Sequence, residues 1–372
     1  MKLSDSARPP DRDLAPPATA GTGAAAIDGV PWIERPGYRD TPRYRALPSR
    51  TRALCDAFHD DGYLVIERSG ILDGVDLREL NRFVETHMAP GEGRIIDGWV
   101  RSPEVLKIAI HPAILDLLRT LYGREPIPFQ TLNFLQGTEQ QTHSDSIHFS
   151  CLPARFMCGV WVALEDILLE QGPLHYFPGS HRLPELDYND LEIDPLESGP
   201  AGWVNPRALD RYRSYERKIG AVAASHGKRR ELAVRKGGVL IWSSNLLHGG
   251  SLIGERGSTR RSQVTHFFFE DCVWITPMFS NAKEGRFAVR TPFDMARGRV
   301  ARITWNGRPV VFHAAGDRMT FEPAPPLPFD AERAGEYLRR YPDVALDAVF
   351  NSVNGAWNHY VMYGHREGRT WG

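Results

Sequence analysis

From Phe129 to Phe269 the chain is cut into short runs rich in β-branched and aromatic residues, at 131–135, 156–164, 174–177, 239–242 and 264–269. No such run can bury a face by itself, and many in succession predict a β sandwich or barrel. Helical patterns flank them. Residues 54–88 read as a helix, a strand over 62–66 and a second helix through Leu77, Leu80 and Phe83. Over 112–122, Ile114, Leu115, Leu117, Leu118 and Leu121 recur at helical spacing, making a face suited to covering a sheet. Pro126 and Pro128 then end helical structure. Asn306-Gly307, inside the strand-like stretch 301–312, predicts a two-residue hairpin turn. The expected class is mainly β with flanking helices.

A chain of 372 residues can bury a large core and exceeds what one small domain needs. Residues 1–30 are rich in Pro, Ala, Gly and charge, lack the apolar stretch of a secretory signal, and read as a flexible tail. The main domain is expected over 31–322, with a polar, partly helical insertion near 187–230. Prolines at 323–328 mark a linker to a small helical appendage, dense in Tyr, Arg and His, that completes 323–372. The net charge of -1, from 45 basic and 46 acidic residues, gives no electrostatic case for nucleic acid or an anionic membrane. No run approaches the roughly 18 to 20 apolar residues of a membrane span. Cys55, Cys151, Cys158 and Cys272 lack CxxC spacing, so they read as small buried hydrophobes in a reducing cytoplasm.

The chemistry centres on Thr142-His143-Ser144-Asp145-Ser146. Residues i and i+2 of a strand share a face, so one imidazole and one carboxylate can share a metal. His248, in Leu247-His248-Gly249-Gly250-Ser251 after the 239–242 run, can supply a third ligand. Two histidines and a carboxylate suit Fe(II) and leave open positions for a chelating keto acid and O2. The keto acid's far carboxylate needs a cation, and Arg260 or Arg261 is placed to give one.

Taken together, His143-Ser-Asp145, the stretch Gly172-Pro-Leu-His-Tyr-Phe-Pro-Gly-Ser-His181, Leu247-His248-Gly and Arg260-Arg-Ser-Gln-Val-Thr-His-Phe267 stand in the order found in the phytanoyl-CoA dioxygenase family, which the chain resembles over about 54–272. The resemblance implies a double-stranded β-helix, or jelly roll. It also implies His143, Asp145 and His248 as iron ligands and Arg260 as the 2-oxoglutarate anchor, with Arg261 the alternative. The activity implied is hydroxylation of a small molecule or a lipid- or glycan-linked substrate, releasing succinate and CO2. Gln130, Asn133 and Thr142 are polar candidates for further 2-oxoglutarate contacts. His148 reads as a packing or pocket residue, His266 as a buried, hydrogen-bonded histidine, and Trp242 as core or pocket wall. The alternatives are a catalytically silent jelly-roll protein with a structural or sensory metal, and a zinc hydrolase using the same ligands. The stretch 337–369 resembles a short helical module appended to bacterial glycan-associated proteins, which implies a protein partner or a role near polysaccharide synthesis.

Overall fold

In the computed structural model the described residues are 30–67, 69–89, 91–193, 208–227, 229–281, 287–315, 318–323, 330–347, 352–360, 364 and 369–371. The tail expected over 1–30 lies outside them apart from Val30, as do Lys228 and residues 194–207 of the expected insertion and 324–328 of the expected linker. The chain divides into two compact units between Gly307 and Arg308.

The first unit opens with α1 (Pro42–Arg45), capped by the Thr41 hydroxyl, and α2 (Ser49–Asp61), which ends at Gly62 and feeds β1 (Tyr63–Ile66). Next comes α3 (Leu77–His87), whose first turn is satisfied by the Asp76 carboxylate accepting from the Arg78 and Glu79 amides. After β2 (Ile95–Ile96) follow α4 (Pro103–Ala109) and α5 (Pro112–Tyr122), each with proline in its first turn, where no amide hydrogen is missed. The expected face of α5 is buried through Ile114, Leu118 and Leu121. Pro126 begins β3 (Pro126–Phe134), and Pro128 falls where the pairing register shifts, so a residue without an N–H sits at an irregularity of the ladder.

The remaining strands are β4 (Ser150–Leu152), β5 (Met157–Ala163), β6 (Leu174–Tyr176), β7 (Arg230–Glu231), β8 (Val239–Ser243), β9 (His248–Gly250), β10 (Ser262–Phe269) and β11 (Val273–Ile275). Between β6 and β7 lies α6 (Ala208–His226), the described helix of the expected insertion. Six strands form one antiparallel sheet in the order β1-β8-β5-β10-β3-β2, and a smaller sheet runs β7-β6-β9. Every residue of β5, β8 and β10 is buried, as expected of central strands covered on both faces. Tyr176 of the small sheet packs in one cluster with Trp161, Leu240, Trp242 and Val264 of the large one, so the core lies between the two sheets. On α6, Tyr215, Ile219 and Ala223 pack with Ile147, Phe177 and Leu247 in a second cluster. The class is mainly β with helices. Short strands β12 (Phe293–Asp294), β13 (Arg299–Val300) and β14 (Thr304–Trp305) follow. Asn306 and Gly307 have φ of 51° and 71°, the pair of left-handed residues that a two-residue turn requires.

In the second unit β15 (Arg308–Ala315) and β16 (Arg318–Pro323) form an antiparallel pair. Its helices α7 (Ala331–Arg340), α8 (Pro342–Leu346) and α9 (Val353–His359) gather around Tyr337, Val344, Trp357 and Trp371. Among the described residues, no helix is long and apolar enough to cross a membrane.

Candidate metal centre

His143 and His248 face each other as antiparallel partners and exchange both backbone hydrogen bonds, at 2.9 and 3.0 Å. Their rings lie 4.5 Å apart, centre to centre. Asp145 is not on a continuing strand. It opens a single 3-10 turn, Asp145–Ile147, fixed by the Ser144 hydroxyl, which accepts from the Ser146 amide and donates to the Ser244 carbonyl. The turn brings Asp145 Oδ1 to 3.6 Å from His143 Nε2 and 3.8 Å from His248 Nε2. One ligand atom from each residue lies within 4.8 Å of the others, all three residues being buried.

Both histidines are held in the tautomer a metal needs. His143 Nδ1 sits 2.9 Å from the Gln141 carbonyl and His248 Nδ1 2.9 Å from that of Leu246, so each Nδ1 donates and each Nε2 keeps its lone pair toward Asp145. Burial lowers the His248 pKa to about 4 against the pull of Asp145, and that of His266 likewise to about 4. For Asp145 burial pushes upward. The nearby His248, His143 and His266 outweigh it and hold the carboxyl well below its usual range. Neutral imidazoles beside a carboxylate are the ligating forms.

The second oxygen of Asp145 accepts from Trp242 Nε1 at 2.8 Å. Trp242 reaches it because its partner on β5 is Gly159, where a Cβ would stand 2.1 Å from the indole. A Cβ at Gly249 would likewise lie 2.6 Å from the Gln140 carbonyl. The Gly-Gly tract after His248 thus lets the Gln140 backbone approach, and Gly250 donates to that carbonyl at 2.8 Å.

The cluster opens into a cavity of about 240 Å³, whose wall includes Arg260, Trp161, Phe134, Gln140, His148 and Tyr212. Arg260 is 1% exposed, and its Nε and Nη1 have no hydrogen-bond partner. No described carboxylate pairs with it, and burial alone brings its pKa down to about 10, still charged at neutral pH. Arg261 differs. It bonds Glu85 at 2.6 Å and Glu165 at 3.1 Å and is absent from the cavity wall. Both arginines lie just ahead of β10, where the Arg260 amide donates to the Leu135 carbonyl and the Arg261 carbonyl accepts from the Leu164 amide, and only Arg260 reaches the cavity.

Of the other polar candidates, Gln130 lines the cavity and accepts from His266 Nδ1 at 3.0 Å. Asn133 does not line it. Gln130, Leu132 and Phe134 take the inward face of β3, which turns Asn133 the other way, where its amide donates to Gln263 at 3.1 Å. Thr142 is also off the wall, its hydroxyl 2.8 Å from His175 Nε2. His148 does line the cavity, because the 3-10 turn redirects the chain. Sequence reasoning left out Gln140, Tyr212 and Arg94, all on the wall. Gln140 stands three residues before His143 and was within reach of the motif. Tyr212 carried no local signal, since α6 meets the cavity only through the tertiary fold.

Donor set and cavity fit an iron ion with a keto acid: three ligands on one side, and a buried guanidinium without a counter-charge facing the same space. The family model described as phytanoyl-CoA dioxygenase (PhyH) matches residues 58–253. A Danio rerio protein, phytanoyl-CoA dioxygenase domain-containing protein 1, is 24% identical over 189 residues, covering 49% of this chain and 59% of that protein. The Mus musculus protein of the same name is 31% identical over 84 residues, covering 22% and 29%. This chain therefore spans less than two thirds of these relatives. Among solved structures, EctD from S. alaskensis with bound Fe is 18% identical with a TM-score of 0.47, covering 75% of this chain and 93% of that one. The epimerase SnoN in complex with Fe3+, alpha ketoglutarate and nogalamycin RO is 19% identical with a TM-score of 0.44, covering 74% and 99%. The family match takes in more than half of the sequence, with His143, Asp145 and His248 inside it, and the chain belongs to the phytanoyl-CoA dioxygenase (PhyH) family.

Proposed function

We propose that this chain is an Fe(II)- and 2-oxoglutarate-dependent oxygenase with a jelly-roll core. It hydroxylates an aliphatic carbon of a small molecule, or of a lipid- or glycan-linked substrate, and releases succinate and CO2. The observation that carries this reading is Arg260, a buried guanidinium with two unpartnered nitrogens on the wall of the cavity that holds the His143, Asp145 and His248 cluster. A buried unpaired charge is costly, and a silent metal site or a zinc hydrolase gives it no task. The far carboxylate of 2-oxoglutarate would meet its fork in two parallel hydrogen bonds.

Iron(II), 2-oxoglutarate and O2 supply the oxidation when bound. The chain's residues bind, orient and enclose. His143 and His248 offer Nε2, fixed by the carbonyls of Gln141 and Leu246. Asp145 offers Oδ1 while Trp242 restrains Oδ2. A retained carboxylate leaves no place for a halide at the metal, which favours hydroxylation over halogenation. Phe134, Trp161 and Val264 wall the Arg260 end with apolar surface that excludes water. Four buried free cysteines fit a reducing, cytoplasmic setting. To the appendage at 323–372 we assign the docking of a protein partner, as its resemblance to a helical module of glycan-associated proteins implies.

The test is succinate formation from 2-oxoglutarate by the Fe(II)-loaded protein under air. Wild type is expected to turn over even without substrate, and Arg260→Gln to raise the KM for 2-oxoglutarate roughly 100-fold, the loss of a charged, paired contact. Failure of the Fe(II)-loaded protein to bind 2-oxoglutarate overturns the reading.

A further inference from the structure

The turn that carries Asp145 leans on a buried amide that is not itself a ligand. Asn245 lies between β8 and β9, three residues before His248, and is buried together with Ser144 and Ser146, the two residues flanking Asp145. Its Oδ1 stands 3.2 Å from the Ser144 hydroxyl and 3.4 Å from that of Ser146, and the two hydroxyls are 2.7 Å apart. The residue before Asn245 grips the same turn: the Ser244 carbonyl accepts from the Ser146 amide at 3.2 Å and from the Ser144 hydroxyl at 3.0 Å. The residue after it serves the opposite ligand, since the Leu246 carbonyl fixes His248 Nδ1.

The far end of Asn245 is anchored away from the metal. Its Nδ2 donates to the carbonyls of His181, at 3.2 Å, and Leu183, at 2.6 Å. These two acceptors use both amide hydrogens and decide which end is the oxygen, because a flipped amide would set oxygen against two carbonyls. The anchor is itself tied down. Leu183 also accepts from Arg155 Nη2 at 3.1 Å, and Arg155 pairs with Glu34 at 3.0 Å. Glu34 in turn accepts from the Ser243 hydroxyl at 3.2 Å, at the start of the segment that carries Asn245.

We infer that Asn245 is a positioning residue of the metal centre: its amide ties the Asp145 turn, and the turn that leads to His248, to the 181–183 segment, and so sets the spacing of the two ligands. The inference rests on the reading of His143, Asp145 and His248 as metal ligands. A 3-10 turn of three residues has poorer hydrogen-bond geometry than an α-helix and holds a ligand in place only with support from outside. A space-filling side chain of the same size cannot give that support. In this buried setting leucine would leave the two serine hydroxyls and the His181 carbonyl short of a partner.

The experiment titrates the full, metal-free chain with Co(II) against a competing chelator and reads the ligand-field absorption, with the melting temperature of the metal-free protein as a separate measurement. Asn245→Ala is expected to weaken Co(II) binding about tenfold or more, the scale for losing an outer partner of a ligand, and to change the absorption band. Ser144→Ala combined with Ser146→Ala should weaken it likewise. All three changes together should cost no more than about twofold beyond the weaker of the two, since both cut the same link. Asn245→Asp keeps the shape and the oxygen facing the serines but turns an oxygen onto the His181 and Leu183 carbonyls, and the same loss is expected. Asn245→Ser takes the place of Asn245→Ala if that variant does not fold. A residue that only fills space would lower the melting temperature and leave affinity and band at wild type. Wild-type Co(II) affinity in a folded Asn245 variant, or a combined loss near the product of the separate losses, overturns the inference. If wild type itself takes up no Co(II), the metal-centre reading falls, and this inference with it.

Discussion

The two oxygens of Asp145 face different partners: Oδ1 looks toward the ligating nitrogens of both histidines, while Oδ2 holds the Trp242 indole. Asp145→Ala removes a ligand and strips Trp242 of its acceptor, so Fe(II) binding and succinate formation are both expected to vanish. Retained full activity would show that the centre lies elsewhere. Trp242→Phe leaves the ligands in place and frees only Oδ2. Such an outer partner is worth about 10- to 100-fold in metal affinity, which a competition titration against a chelator can read; unchanged affinity would contradict the restraint. That His143, Asp145, His248 and Arg260 meet at one cavity was legible because each sits in a short motif whose residue types suit one chemistry. The strand argument for the His-x-Asp pair nevertheless differs from what folds, since Asp145 lies in a 3-10 turn and His143 owes its place to pairing with His248. Asn133 and Thr142 illustrate the limit. Which face of β3 looks inward is set by its pairing with β10, and no property of Asn133 itself announces it.

At the level of elements, the strand pair β5–β8 carries the least obvious functional demand. Gly159 lies opposite Trp242 and leaves the space that the indole fills. Gly159→Ala would drive a methyl into the ring, displacing Trp242 from Asp145. The expected result is a fall in Fe(II) affinity of about tenfold or more, as for loss of the outer partner itself, together with destabilisation of about 1–3 kcal/mol from overpacking. Iron affinity equal to wild type would mean that the sheet yields and the indole keeps its contact. The strands of the core were readable from their β-branched and aromatic runs, since β5, β8 and β10 are buried on both faces and need no alternation. The role of α6 was harder to see. Its charges fall on several sides, yet Tyr212, Tyr215, Ile219 and Ala223 follow a helical stripe, and that stripe is the one packed over the metal-bearing turns. A short apolar face among arginines and glutamates is a weak signal in sequence, because its partner, the 3-10 turn at Asp145, exists only in the fold.

For the whole molecule, the metal cavity belongs to the unit within 28–307, and the start of that unit is pinned by one carboxylate. Asp56 on α2 accepts from the Tyr38 hydroxyl at 2.5 Å, from Arg39 at 3.0 Å and from the Tyr44 hydroxyl at 2.9 Å. Burial pushes its pKa up, but these three donors outweigh burial and lower it. A carboxyl lowered in the folded state adds stability above its unfolded pKa and loses it as pH falls through the folded value. Asp56→Asn should therefore cost about 1–2 kcal/mol near neutrality, with the gap to wild type closing below about pH 4. A gap constant across that range in urea melts would contradict the assignment. The division between Gly307 and Arg308 was not marked in the sequence, because Asn306-Gly307 reads as a turn within one sheet and the prolines at 323–328 are the more conspicuous break. The central claim is that His143, Asp145 and His248 hold iron while Arg260 holds the keto acid. Its most direct test is anaerobic titration of the Fe(II)-loaded protein with 2-oxoglutarate. We expect one equivalent to bind in wild type and in Arg261→Gln, with affinity roughly 100-fold weaker in Arg260→Gln and no metal-dependent binding in Asp145→Ala. Equal affinity in wild type and Arg260→Gln, or binding that ignores the metal, would contradict the account.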